Sequence, residues 1–194
     1  CCDGGKNPKP KPKQMGSELD YKIIIIGESQ VGKTSLLKRY VSGKYETVRP
    51  TEVISDIVKE SSIVVDNQPL KMKMHYWDTA GTEKFKSLSS MYYKDVDAVL
   101  LVYAINDSNS FRELESWETE IKKMTGDPIV FILGNKSDLA DQQRAVEIDQ
   151  IDRFADGRYW NETSALAENS NIDQIIEDLK TELAKNAKIK MELQ

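Results

Sequence analysis

An eight-residue segment near the N-terminus constrains this chain more than any other feature. It reads GESQVGKT over residues 27–34, fits the pattern G-x-x-x-x-G-K-[ST], and follows the apolar run at 23–26. Residues 35–40 behind it have a helical pattern. A strand, a glycine-bounded loop and a helix N-terminus together predict a loop whose backbone N–H groups cradle phosphate. A chance match in a glycine-containing turn is the alternative, and the flanking strand and helix argue against it.

The side chains of this phosphate loop have distinct expected roles. Lys33 can reach the β- and γ-phosphates of a nucleotide, and the hydroxyl of Thr34 can ligate Mg²⁺. The loop alone does not name the base that the nucleotide carries. The nucleotide-contacting residues predicted here are Glu28, Ser29, Gln30, Val31, Gly32, Lys33, Thr34 and Ser35.

A second motif points to the base. The sequence NKSD at 135–138 follows the apolar run at 129–134. A carboxylate at the end of a strand can accept hydrogen bonds from both N1–H and N2–H₂ of guanine, a donor pair that adenine lacks, so Asp138 would select GTP over ATP. Asn135 can tie this loop to the phosphate loop, and the stem of Lys136 can lie over the base. Four letters alone make a weak pattern, because an ordinary polar turn often reads the same way.

Two further segments follow predicted strands. In WDTAG at 77–81, Asp78 can hold a Mg²⁺-bound water, and the N–H of Gly81 can meet the γ-phosphate. After a short strand candidate near 159–160, a backbone N–H can meet the guanine O6. The residues predicted to complete the base site there are Ser164, Ala165 and Leu166.

These four segments, in this order and each after a strand, resemble the small Ras-like GTPases from about Tyr21 to about Leu183. The Rab branch is the most similar, because WDTAG at 77–81, MYYK at 91–94, LVYAIN at 101–106 and NSF at 109–111 are typical of it. The resemblance implies an α/β fold: a single P-loop GTPase domain with a six-stranded, mostly parallel sheet and helices on both faces.

The resemblance also implies a function. It predicts a molecular switch that binds GTP or GDP with Mg²⁺, hydrolyses GTP slowly with the help of GTPase-activating proteins, and takes part in vesicle trafficking. Effector, exchange-factor and activating proteins would bind through residues 45–58 and 77–93. We expect a cytoplasmic protein that is recruited to an endomembrane surface. No nucleic-acid partner is expected, since no basic face emerges outside the N-terminal tail.

The catalytic residues implied by the resemblance are Lys33, Thr51, Gly81 and Thr82, with Thr51 as a second Mg²⁺ ligand and Tyr45 edge-on to the guanine. Thr82 departs from the family, because most relatives have a glutamine there that orients the attacking water. A threonine hydroxyl lacks the amide's paired donor and acceptor. After Thr51 the chain continues with Glu52 and Val53 where Ile-Gly is usual, so an ordinary strand residue remains the alternative for Thr51.

Gln30 and Leu166 are two further departures, the second standing where a lysine is common. The departures leave a second hypothesis open, a nucleotide-locked pseudo-GTPase that acts as a binding scaffold. A third hypothesis, an ATP-using P-loop kinase, is opposed by Asn135 and Asp138.

Composition supports one globular domain. The chain has 194 residues, 39% hydrophobic and 30% charged, and a formal charge of −5. We expect a flexible basic tail of proline and lysine at 1–19, which would be a tag or a linker, a GTPase domain at 20–188, and a short C-terminal tail at 189–194.

The two cysteines are adjacent at the start, which suits a reducing compartment, and no stretch is long and apolar enough to span a membrane.

The hydrophobic periodicity predicts an alternation of strands and helices. The strands are expected near 22–27, 53–58, 62–66, 70–77, 97–104, 129–134 and 158–161, and the helices near 33–42, 84–93, 108–124, 144–155 and 171–188. The segments at 53–58 and 62–66 are expected to merge into one β-ladder with 70–77. Alternation over 70–77 puts Trp77 on the polar face, where it would bind a partner or be partly buried against Phe85 or Tyr92. His75, the single histidine, is expected to be solvated on the same strand.

Overall fold

The computed structural model describes residues 18–46, 55–65, 68–78, 93–123 and 127–192. In these ranges strands and helices alternate along the chain, as expected for an α/β fold. A 3₁₀ turn at Ser137–Leu139 follows the fifth strand. The elements are β1 (Glu18–Ile26), α1 (Lys33–Ser42), β2 (Ser55–Val65), β3 (Gln68–Asp78), β4 (Ala98–Ala104), α2 (Ser108–Arg112), α3 (Leu114–Ile121), β5 (Ile129–Asn135), α4 (Ala140–Gln143), α5 (Ile148–Ala155), β6 (Trp160–Glu162) and α6 (Ile172–Glu192).

The strands form one six-stranded sheet in the order β2-β3-β1-β4-β5-β6. Only the β2–β3 pair is antiparallel, and the other four pairs are parallel. This confirms the predicted mostly parallel sheet. The carboxyl ends of β1, β3, β4, β5 and β6 therefore lie along one edge, where ligand-binding loops of doubly wound sheets are found.

Helices cover both faces of the sheet, as predicted. Ile23 and Ile25 of β1 point into a core that is shared with α1 and α6, whereas Ile24 and Ile26 point into a second core that is shared with α3 and α5. All seven residues of β4 are buried, which is why this strand reads as a continuous apolar run rather than an alternating one. The two cores hold the central strands, and the loops at their ends, in place.

The edge strands merge as predicted, whereas helix boundaries differ from the predicted ones. The segments at 53–58 and 62–66, expected to form one β-ladder with 70–77, are a single strand, β2, which pairs with β3 along its whole length. The helix expected at 108–124 is divided at Glu113 into α2 and α3. The helix expected at 144–155 begins later, at Ile148, because Glu147 and Gln150 form a reciprocal capping box there. The helix expected at 84–93 lies almost wholly outside the described residues.

The alternation predicted for β3 is confirmed, but its polar face is more structured than predicted. Met72, Met74 and Tyr76 are buried, and Trp77 on the other face is half-buried against the second core. The Nζ of Lys22 lies 5.0 Å from the centroid of the Trp77 ring.

The prediction that His75 is merely solvated was wrong. Its ring contacts two carboxylates across the sheet, with Nε2 3.2 Å from Asp20 Oδ1 and Nδ1 3.0 Å from Asp56 Oδ2.

No helix in the described part of the chain is both long and apolar enough to cross a membrane.

Candidate functional site

The phosphate loop is fixed at both ends by glycines that no other residue could replace without movement. A Cβ atom on Gly27, whose φ is 142°, would lie 2.0 Å from the carbonyl oxygen of Val102 on β4. A Cβ atom on Gly32, whose φ is 97°, would lie 2.3 Å from Nδ2 of Asn135 on β5. Both contacts are far closer than van der Waals distance. The loop therefore packs directly against β4 and against the end of β5.

Lys33 opens α1 and turns back into the loop. Only 5% of the residue is exposed, and its Nζ donates to the carbonyl oxygens of Gly27 at 2.9 Å and Glu28 at 2.8 Å. Burial lowers the pKa of Lys33 to about 8, while the nearby carboxylates of Asp78 and Glu28 act in the opposite direction. The ammonium group is thus held beneath the loop, on the path by which Lys33 would reach a phosphate.

Two oxygen donors that suit Mg²⁺ lie beside this lysine. Asp78 ends β3 and is 1% exposed, and the pairing of β3 with β1 sets it opposite Ile25, immediately before the phosphate loop. Thr34 is half-buried in the first turn of α1. A carboxylate and a hydroxyl are hard ligands of the kind that Mg²⁺ prefers, so the donor set fits this ion. Among the described residues, no three His, Cys, Asp or Glu side chains are arranged to hold a metal by themselves.

Asn135 joins the phosphate loop to the base side of the site. The residue is 2% exposed at the end of β5, and its Nδ2 donates to the carbonyl oxygen of Val31 at 2.7 Å. Its Oδ1 accepts from the N–H of Ala165 at 3.2 Å. One buried side chain therefore ties together three loops, from β1, β5 and β6, which is the linking role that the sequence predicted for it.

The carboxylate of Asp138 is oriented by Ser164. The buried hydroxyl of Ser164 donates to Asp138 Oδ1 and accepts from the N–H groups of Leu166 at 3.1 Å and Ala167 at 3.0 Å. Asp138 itself is exposed at the surface. Lys136 is half-buried and has a left-handed backbone conformation, with φ of 67°. This conformation turns the chain into the 3₁₀ turn at Ser137–Leu139, which contains Asp138. The exposed Asp138 carboxylate is thus held in place by the neighbouring loop that follows β6.

An ion pair that the sequence analysis missed supports this loop. The guanidinium of Arg144 makes two parallel hydrogen bonds to the carboxylate of Glu162, at 2.8 and 2.7 Å, and also donates to the carbonyl oxygen of Val146. The bonds to Glu162 raise the pKa of Arg144. Glu162 directly precedes Thr163 and Ser164. Because eighteen residues separate the two partners, no local pattern could have revealed the pair.

The remaining predicted residues are placed as follows. Val31 is buried, Ser35 is half-buried, and Ser29 and Gln30 are exposed at the apex of the phosphate loop. Gln30 is left-handed, with φ of 63°, a conformation that glycine adopts far more readily. Tyr45 is 42% exposed and Leu166 is 55% exposed. Thr51, Gly81 and Thr82 lie outside the described residues, so their predicted roles stay predictions.

The side chain of Glu28 lies against a helix rather than free in solvent. Its Oε1 accepts a hydrogen bond from the indole Nε1 of Trp117 on α3 at 3.2 Å. Glu28 is one of the residues predicted to contact the nucleotide, and its backbone carbonyl oxygen accepts from Lys33. Sequence reasoning did not connect Glu28 with Trp117, because 89 residues separate them.

Comparisons with known proteins agree with this geometry. The family model described as the Ras family matches residues 22–185. The chain is 36% identical over 166 residues to the Ras-related protein Rab-26 of Bos taurus, which covers 81% of this chain and 64% of that protein. It is 32% identical over 177 residues to the Ras-related protein Rab-21 of Homo sapiens, with 90% of this chain and 76% of that protein covered. Rab-21 of Bos taurus matches to the same extent, with 78% of its length covered. The chain thus spans a little under two thirds of Rab-26 and about three quarters of Rab-21.

Proposed function

This chain belongs to the Ras family and is a small GTPase of the Rab branch, and on that premise we propose that its site binds GTP and GDP together with Mg²⁺. The observation that carries the proposal is the double contact of Asn135, whose amide bonds both Val31 of the phosphate loop and Ala165 of the base loop. A base and its phosphates would be recognised by loops that are already joined.

The proposed roles follow from the chemistry of the groups at this edge of the sheet. Lys33 would neutralise the β- and γ-phosphates, and the N–H groups of the loop and of the first turn of α1 would add their dipoles. Thr34 and Asp78 would hold Mg²⁺, Asp78 through a water, and Thr51 would complete the set when the γ-phosphate is bound. Magnesium would supply charge for the transferred phosphoryl group.

We propose that hydrolysis of GTP by this chain is slow and depends on an activating protein. A small GTPase usually needs an amide to orient the attacking water, and Thr82 offers only a hydroxyl. The rest of the predicted machinery, Lys33, Thr51 and Gly81, is present in the sequence. An activating protein would then contribute the missing amide or a cation.

Partners and location are proposed from the resemblance to the Rab branch. The surfaces would be residues 45–58 and 77–93, which flank the β2–β3 hairpin and include the half-buried Trp77. Binding there would report the nucleotide state to effector and exchange proteins in vesicle trafficking, at an endomembrane surface. Flotation of the protein with vesicles, measured in the GTP state and in the GDP state with the exchange factor present, would test the location.

A nucleotide-locked scaffold is the second candidate, and the conformation of Gln30 favours it. A non-glycine residue in the left-handed conformation at the loop apex costs roughly 1 kcal/mol or more in backbone strain. The glutamine side chain at this position therefore has a role other than folding of the loop. Single-turnover hydrolysis with GTP and Mg²⁺ separates the candidates. Release of phosphate supports the switch, whereas bound GTP that persists over days at 25 °C supports the scaffold.

The base preference provides the sharpest test of nucleotide recognition. In a competition titration GDP and GTP should bind at least about a hundredfold more tightly than ADP and ATP, because adenine lacks the N1–H and N2–H₂ pair that guanine would donate to the Asp138 carboxylate. Asp138→Asn should lose that preference and bind xanthine nucleotides instead. Asp141→Asn, an exposed aspartate three residues away on α4, is the control and should bind like the wild type. Equal affinity of the wild type for ADP and GDP would contradict the proposal.

A further inference from the structure

A hydrogen bond from Trp117 connects helix α3 to the phosphate loop. The residue is 2% exposed and packs in the second core, so its ring has a single well-defined position. The indole Nε1 donates to Oε1 of Glu28 at 3.2 Å. An indole can donate from this one atom and cannot accept there, so the contact fixes the Glu28 carboxyl as the acceptor.

A carboxylate in a phosphate-binding loop needs such a restraint. Glu28 is the second residue of the loop, and its carbonyl oxygen accepts from the Nζ of Lys33 at 2.8 Å, so its carboxylate belongs to a residue in direct contact with that ammonium. The same negative charge would repel a phosphate oxygen if it faced the nucleotide. Its effect on binding therefore depends on which way the side chain points, and the hydrogen bond to Trp117 sets that direction.

We propose that Trp117 is a positioning residue for nucleotide binding: its indole N–H holds the Glu28 carboxylate against α3, where the charge supports Lys33 and does not face the phosphates. The inference rests on the proposed function of the loop. It makes α3, on which none of the predicted base or metal residues lies, a determinant of the affinity for GTP relative to GDP.

The predicted consequence is a selective loss. In Trp117→Phe the ring volume remains largely filled but the N–H is gone, so the Glu28 carboxylate can turn toward the mouth of the loop. GTP carries one more phosphate than GDP and should be weakened more, by about tenfold against about threefold. Glu28→Asp keeps the charge on a side chain that is one methylene too short for the indole, and should show the same GTP-weighted loss while leaving the core intact.

The decisive arm is a rescue. Glu28→Gln combined with Trp117→Phe removes the charge that has been released, so the double variant should recover the GTP:GDP affinity ratio of the wild type. Trp160→Phe is the matched control, because Trp160 Nε1 donates to Asp152 Oδ1 at 2.9 Å in a similar indole–carboxylate bond between β6 and α5. That variant should not change the ratio. Isothermal titration with GDP and with a non-hydrolysable GTP analogue supplies the affinities.

The contact itself has a spectroscopic signature. The chain has three tryptophans, and the indole N–H cross-peak that disappears in Trp117→Phe should shift in Glu28→Gln, whereas the cross-peak of Trp160 should not. An unchanged GTP:GDP ratio in both Trp117→Phe and Glu28→Asp would overturn the inference, as would a loss that Glu28→Gln fails to restore, which would mean that Trp117 acts only by packing. If the wild type bound no guanine nucleotide, the proposed function itself would fail, so the two failures are distinguishable.

Discussion

The base side and the phosphate side of the site are built on different principles. On the base side, Asn135, Asp138 and Ser164 contact one another or the backbone of a neighbouring loop through hydrogen bonds. On the phosphate side a single ammonium, that of Lys33, is buried against two neutral carbonyl oxygens, and the apex of the loop is exposed. The base side is a network of polar links, and the phosphate side is one desolvated charge beneath a loop whose apex is exposed.

This difference assigns the two regions different tasks. A satisfied network costs little to maintain and rigidly presents a pattern of donors and acceptors, which is what discrimination between bases requires. A desolvated cation whose hydrogen bonds go to neutral carbonyl oxygens gains most when a phosphate dianion becomes its neighbour. We therefore expect the base side to control selectivity and stability, and the phosphate side to control affinity and rate.

The largest effect should come from the phosphate side. Lys33→Ala should weaken GDP and GTP by at least about thirtyfold, since removing one member of a desolvated charge pair typically costs about 2 kcal/mol or more. Lys33→Ala also removes a charge that is buried in the protein without nucleotide. The free energy of unfolding in urea should therefore fall by less than the free energy of nucleotide binding. Calorimetry with both nucleotides gives the affinities.

Lys38→Ala is the control, because Lys38 lies five residues further along α1 and forms a surface ion pair with Glu46, 3.7 Å away. It should bind nucleotide as the wild type does. Loss of affinity in Lys38→Ala as large as in Lys33→Ala would show that α1 contributes through its general charge, and would remove the distinction between the two regions.

The next effect should come from the base side and appear in stability. Arg144→Met breaks the two-bond pair with Glu162, in which both side chains are less than a fifth exposed, and should lower the unfolding free energy by about 2 kcal/mol. Arg153→Met breaks an exposed pair with Asp149 and should cost less than about 1 kcal/mol. Urea titrations of both variants provide the comparison. Equal losses would mean that the Arg144–Glu162 pair does not support the base loop.

A smaller effect is expected on the rate of hydrolysis. Wild-type turnover without an activating protein should be at or below the roughly 10⁻⁴ s⁻¹ of unassisted small GTPases. Thr82→Gln should raise it about tenfold, or about 1.4 kcal/mol of barrier, because the amide can bridge the water and the γ-phosphate. Single-turnover phosphate release measures the rate.

Gln30 supplies the second arm of that experiment. Its side chain stands at the apex of the loop, so it can crowd the new amide. Thr82→Gln combined with Gln30→Gly separates crowding from missing chemistry: a rise only in the double variant indicates crowding. Fast turnover of the unmodified chain, about 1 s⁻¹, would show that another residue positions the water and that the assignment of Thr82 is wrong.

The sequence predicted the parts of this molecule that have local signatures. The parallel sheet and the grouping of Lys33, Asn135 and Asp138 at its edge followed from apolar runs and from motifs placed at strand ends. Contacts between distant side chains, such as Glu28 with Trp117, were not predictable, because nothing in either segment marks its partner. The contacts of His75 were missed for the same reason, since both carboxylates come from neighbouring strands.

The smallest effect tests how completely the base side is satisfied. Tyr103 is buried on β4 close to Arg144 and Glu162, and a Cβ on Gly134 would lie 2.7 Å from its hydroxyl. Among the described residues that hydroxyl has no hydrogen-bond partner. Tyr103→Phe should therefore leave the unfolding free energy unchanged or raise it by up to about 1 kcal/mol at pH 7.

The pH dependence of Tyr103→Phe gives an independent check. Burial raises the pKa of Tyr103 above that of a tyrosine in the unfolded chain, which ionises near pH 10. Above roughly pH 10 the unfolded state therefore loses this proton while the folded state keeps it, so wild-type stability falls as the pH rises. The variant lacks this contribution, and its advantage over the wild type in urea should grow between about pH 9 and pH 11. A constant difference across that range would mean that the hydroxyl ionises equally well in the folded protein, and that the base side is open to water at this point.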